Sequence, residues 1–89
     1  MKATCEISLY PLTENYKEII IDFILAVKKH KKIRVETNGL STQLFGDYDV
    51  LMDVLKKELK TVFEDERAVF VFKIAKGERT KEKLPKKLK

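Results

Sequence analysis

The chain has one cysteine, one histidine, two prolines, three glycines and no tryptophan among its 89 residues. With Cys5 alone, an internal disulfide is impossible. One cysteine and one histidine also fall short of a zinc site, which takes three or four such ligands. His30 lies within Lys28-Lys29-His30-Lys31-Lys32, a basic helix end that complements the helix dipole. A solvated role is expected of it, rather than partnership with a thiolate. Cys5 alternates with Ala3, Ile7 and Leu9 and is expected to be a buried core thiol. No Ser–His–Asp set, paired acid–base carboxylates or phosphate-binding glycine loop is visible, so an enzyme is not expected. No cofactor is implied.

No apolar run approaches the roughly 18 residues of a membrane span. Met1-Lys2-Ala3-Thr4 runs straight into a strand pattern, without a basic leader and small-residue cleavage site; the expectation is a cytoplasmic protein. The net charge of +5 is concentrated at one end. Residues 77–89 hold six of the 19 basic groups and two of the 14 acidic ones, which leaves thirteen against twelve in the body. A body that near neutrality lacks the basic stripe of a nucleic-acid binder.

What is present is periodic. In "ATCEISLYPL", Ala3, Cys5, Ile7 and Leu9 face one way, and Thr4, Glu6, Ser8 and Tyr10 the other, as in a half-buried strand. Pro11 ends it. In "TENYKEIIIDFILAVKKH", Tyr16, Ile19, Ile20, Phe23, Ile24 and Val27 form the stripe of a helix, with Thr13 as its expected N-cap and its end near Lys31. "IRVETN" alternates again. Asn38-Gly39 predicts a tight hairpin with positive φ at both residues. "STQLFG" returns, with either Leu44 and Thr42 or Phe45 facing the core. Asp47 caps a second helix with the stripe Leu51, Val54, Leu55, Leu59, Val62 and Phe63. "RAVFVFKIAK" reads as a buried strand.

The order βαββαβ is that of an α+β, ferredoxin-like fold. It predicts a four-stranded antiparallel sheet of order 4-1-3-2 with both helices on one face, over residues 1–76. Residues 77–89 read as a basic tail, mobile or marginally helical. The open face would carry Glu6, Ser8 and Tyr10 from the first strand, Asn38 from the second, Ser41 and Phe45 from the third, and Val69 and Val71 from the fourth. Apolar spots on an open sheet mark an interface, so a homo-oligomer through the sheet is expected. RNA binding is unfavoured, because strand three lacks the aromatic motif of the RNA recognition fold and Glu6 and Glu36 would repel phosphate. A small-molecule site remains, with Glu6, Ser8, Tyr10, Asn38, Ser41 and Thr42 as its candidate residues. Tyr10 or Phe45 would stack on a flat ring, and Glu6 would favour a cationic one.

Two stretches carry a resemblance. "SLYPL" (Ser8–Leu12) closes the first strand, and "TNGLSTQLFGDYDVLMDVL" crosses the hairpin into helix two. Both resemble the YkoF-like and MTH1187-like thiamine-binding proteins over roughly residues 3–76. Leu40 stands where that family commonly has methionine. The resemblance implies a ferredoxin-like fold, assembly through sheet contacts into homodimers or homotetramers, and non-enzymatic binding of thiamine or its hydroxymethylpyrimidine moiety in transport or salvage. By motif position it points to Ser8, Ser41 and Thr42; Glu6, Tyr10 and Asn38 come from strand geometry. The competing reading is a structural or regulatory oligomerisation module without this ligand.

Overall fold

A computed structural model describes residues 1–89. Its elements are β1 (Lys2–Pro11), α1 (Tyr16–Lys28), β2 (Arg34–Thr37), β3 (Thr42–Asp47), α2 (Tyr48–Asp65) and β4 (Ala68–Lys76), followed by two short 3₁₀ turns, Lys81–Lys83 and Lys86–Leu88. The strands form one antiparallel sheet of order β2-β3-β1-β4, the predicted order read from its other edge. Both helices pack on one face, over a core in which Cys5, Ile7, Val27, Leu44 and Leu51 are fully buried. The fold is ferredoxin-like. No helix is long and apolar enough to cross a membrane.

The strand registers settle the facing of β3. Thr42 lies opposite Ile7 and Leu44 opposite Cys5, so Thr42 and Leu44 point inward and are buried. Phe45 is buried as well, but on the open face, where the Arg34 guanidinium lies 4.1 Å from its ring centroid. An outward aromatic is thus covered by a cation instead of being left free to stack.

Several local expectations are corrected. Asn15, not Thr13, precedes α1, and its side chain makes no capping bond. The helix stops at Lys28 rather than Lys31, because the Lys29 and His30 amides reach back only three residues, to Ala26 and Val27. This tighter closing turn ends α-helical winding. His30 is not merely solvated. Its Nε2 lies 2.6 Å from Oε2 of Glu58, a buried carboxylate on α2. A carboxylate withdrawn from water needs such a partner, and the pair ties the end of α1 to α2.

The hairpin also departs from expectation. Neither Asn38 nor Gly39 has positive φ. The Asn38 side-chain oxygen instead accepts from the amides of Leu40 (2.8 Å) and Ser41 (3.2 Å), while the Asn38 amide donates to the Ser41 carbonyl (3.1 Å). This is an Asx-type turn, in which a side chain replaces a backbone carbonyl. Asp47 caps α2 as expected, accepting from the Asp49 amide.

β4 is not a buried strand. It is a sheet edge, and Val69, Val71, Phe72 and Ile74 are all exposed. Only its start is packed, with Phe70 against Phe23 and Phe63 at centroid distances of 5.1 and 5.4 Å. Beyond it, the basic segment first returns to the sheet. Gly77, at φ +87°, donates its amide to the Lys2 carbonyl. The Thr4 hydroxyl donates to the Gly77 carbonyl (2.7 Å) and accepts from the Arg79 amide (2.9 Å). Residues 77–79 thus form a strap over the open face at Thr4.

Candidate functional site

The site begins where one ladder stops before its neighbour. β1 pairs with β3 only as far as Ile7↔Thr42, but with β4 as far as Pro11↔Ala68. Residues 8–11 of β1 therefore have a strand on one side and a notch on the other. The alternation of an antiparallel ladder decides what faces that notch. The Lys2 carbonyl and Leu12 amide bond toward β4, whereas the Met1 carbonyl bonds toward the β3 side. Even-numbered residues of β1 thus turn their backbone to β4, and odd-numbered ones to β3. Leu9, the next odd residue after Ile7, presents both its N–H and its C=O to the notch. Neither has a partner within the chain.

The hairpin turn and the first half of α1 complete the enclosure. A cleft of about 380 Å³ lies between them, walled by Ile7, Leu9, Ile20, Phe23 and Ile24 and flanked by Tyr10 and Tyr16. Thr37, Asn38, Ser41 and Thr42 line it from the hairpin, and Ser8 from β1. Apolar walls with a few fixed polar groups, in a volume within the usual ~300–1,000 Å³, are what a small-molecule site requires. Five of the six candidate residues, Ser8, Tyr10, Asn38, Ser41 and Thr42, share this cleft. It opens between α1 and the notch, and Ser8 and Tyr10 border it from β1 while keeping the outward facing that the strand pattern gave them.

Glu6 is the exception. It lies on the open face and reaches the cleft through Ser41, whose hydroxyl donates to Glu6 Oε2 (3.0 Å) and accepts from Gln43 Nε2 (2.8 Å). The Ser41 bond, with Lys73 Nζ 3.4 Å away from the other oxygen, holds the Glu6 carboxyl below its ordinary range. Glu6 is therefore an ionised anchor, and it fixes what Ser41 can do. The Ser41 proton is committed, so its remaining lone pair can only accept. Thr42 and Thr37 share a hydroxyl contact at 3.1 Å, which leaves that pair one proton to donate. Asn38 spends its side-chain oxygen on the turn, which holds the hairpin in shape, and its Nδ2 keeps two donors.

Thr37, Tyr16 and the Leu9 backbone were not singled out from sequence. Tyr16 and Thr37 sit where the patterns indicated only a helix stripe and a strand. The free Leu9 amide depends on two ladders of unequal length, which no residue type announces.

A sequence profile of the YkoF-related family matches residues 2–76, and the chain belongs to that family. Among solved structures, it is similar to a hypothetical protein, MJ1052, from Methanocaldococcus jannascii, with 30% identity, a TM-score of 0.73, and coverage of 90% of this chain and 84% of the other. Protein SP2199 from Streptococcus pneumoniae has 26% identity and a TM-score of 0.75, covering 89% and 90%. TM0486 from Thermotoga maritima, described as a putative thiamine biosynthesis/salvage protein, shares the fold, with a TM-score of 0.77 at 21% identity and coverage of 86% and 85%. No functionally curated protein matches the chain.

Proposed function

We propose that this chain binds thiamine, or its hydroxymethylpyrimidine half, in the cleft at the end of β1, as a cytoplasmic binding protein in thiamine transport or salvage and not as an enzyme. Family membership and the thiamine-related description of the Thermotoga protein support the ligand class. The observation that carries the reading is the unpartnered N–H and C=O of Leu9 facing a cleft with aromatic flanks. An aminopyrimidine edge offers a ring-nitrogen acceptor beside an amino donor. That edge can close a β-bridge-like pair with one residue's N–H and C=O. The second amino proton then suits Ser41, which can only accept, and Tyr10 or Tyr16 can cover the ring. The cleft's polar groups are hydroxyls, backbone amides and the Asn38 side chain, with no acid–base pair among them, which supports binding over catalysis.

Calorimetric titration with thiamine, hydroxymethylpyrimidine and oxythiamine tests the reading. Oxythiamine has a carbonyl in place of the amino group and so inverts the donor pattern. The first two should bind, and oxythiamine at least about tenfold more weakly, since an unmatched buried polar group costs about 1–3 kcal/mol. Absence of heat and of thermal shift with both thiamine and hydroxymethylpyrimidine would sink the proposal.

A further inference from the structure

The basic segment past Gly77 is laid down by the fold. Arg34, Phe45, Thr4 and Ala75 stand in one cross-strand row of the open face. The Thr4 hydroxyl holds Gly77 and Arg79 near one end of that row. Its own amide, the Thr80 hydroxyl and, from the far end of the row, the Arg34 charge hold the Glu82 carboxyl below its ordinary range. The segment thus crosses the sheet along the row, and Thr4 and Phe45 face outward yet are 7% and 3% exposed. Residues 81–89 then make two 3₁₀ turns. The Leu84 amide closes one on the Lys81 carbonyl (3.1 Å), and the Leu88 amide closes the other on the Pro85 carbonyl (2.9 Å).

Residues 81–89 carry five lysines, two leucines and a single acid, and all nine are exposed. That acid, Glu82, is engaged by its own turn and by the sheet, so the lysines dominate the outward charge. The rest of the chain is close to neutral, which confines the positive field to this corner. We infer that this corner docks on the surface of a bilayer rich in anionic lipid. Each lysine near such a surface strengthens attachment about fivefold. The lysine stems let the ammonium groups stay among the headgroups, while Leu84 and Leu88, 41% and 66% exposed, enter the acyl boundary. Charge and two leucines give reversible attachment, not a permanent anchor. A nucleic acid offers similar phosphate charge, but proteins grip its single strands by stacking bases on aromatics. Residues 77–89 contain none, and a phosphate backbone gives the two leucines nothing to bury against. The inference is independent of the ligand reading.

Co-sedimentation of the intact chain with lipid vesicles tests it. Vesicles of phosphatidylglycerol and phosphatidylcholine in equal parts should bind the chain at low salt. They should release it in about 1 M salt, where the Debye length falls to about 3 Å. Vesicles of phosphatidylcholine alone should not bind it. Lys83→Glu, Lys86→Glu and Lys87→Glu together should weaken binding about a hundredfold or more. These lysines are exposed, so the fold should survive, and an unchanged Tm checks that it does. Leu84→Ser with Leu88→Ser should weaken vesicle binding severalfold, and poly(uridine) should bind less tightly than the anionic vesicles. No binding to anionic vesicles at low salt, binding indifferent to the lysine or to the leucine changes, or poly(uridine) held more tightly than the vesicles, overturns the inference.

Discussion

Gly46→Ala tests whether the hairpin strand is fixed by contact rather than by backbone conformation. Gly46 is buried on the inner face of β3 and does not have positive φ. Its φ therefore gives no reason for glycine; Ile33 does. A Cβ at Gly46 would stand 2.9 Å from Ile33 Cγ2 and 3.5 Å from both Ile33 Cα and Cβ, against an optimum of about 3.5–4.0 Å between carbons. The clashing methyl sits on a β-branched side chain with few rotamers, and the chain behind it leads into β2. Overpacking of this kind costs about 1–3 kcal/mol. Alanine also restricts the unfolded chain, which returns about 0.4–1 kcal/mol. The net loss is about 1–2 kcal/mol, or about 5–15 °C in Tm for a domain of this size. Urea unfolding followed by circular dichroism reads it directly. Ile33→Ala in the Gly46→Ala background removes the obstructing methyl. The double variant should then be more stable than the sum of single losses predicts, by about 1 kcal/mol. Gly46→Ala within about 0.5 kcal/mol of the parent, the range of ordinary surface changes, would refute the steric argument.

Two further outcomes follow from buried groups. Thr4→Val keeps shape but deletes the hydroxyl that holds both Gly77 and Arg79; a loss of about 1–2 kcal/mol and faster exchange of the Arg79 amide are expected, and unchanged exchange would show that the strap does not depend on Thr4. Burial, helped by the neighbouring Glu6 charge, pushes the Cys5 thiol up from 9.0 to about 11. The folded state therefore holds the proton longer than the unfolded one. Its contribution is complete below pH 9 and is lost as pH rises to about 11, a fall of about 3 kcal/mol. Cys5→Ala should flatten that part of the alkaline stability profile, and equal slopes in both proteins would contradict it.

The sequence by itself determined the element order, the strand facing of β1 and the core stripe of α1. Those depend on periods of 2 and 3.6, which each segment carries locally. It also determined the Asp47 cap and the burial of Cys5. Motif position brought Ser8, Ser41 and Thr42 to attention. The tertiary structure alone decided the rest. The predicted order 4-1-3-2 already placed β4 at an edge, but its apolar residues read as buried; how much of an edge strand is covered depends on tertiary packing, and only its start is packed, at Phe70. Glu6 read as a candidate ligand contact; that it also anchors Ser41 was not legible, because cross-strand register sets that pairing. Asn38 and Gly39 suggested a positive-φ turn, but the Asn38 side chain provides the turn with negative φ. The cleft itself arises from unequal ladders. β1 outruns β3 by a few residues, and this difference in length leaves the Leu9 amide and carbonyl facing a pocket instead of a strand.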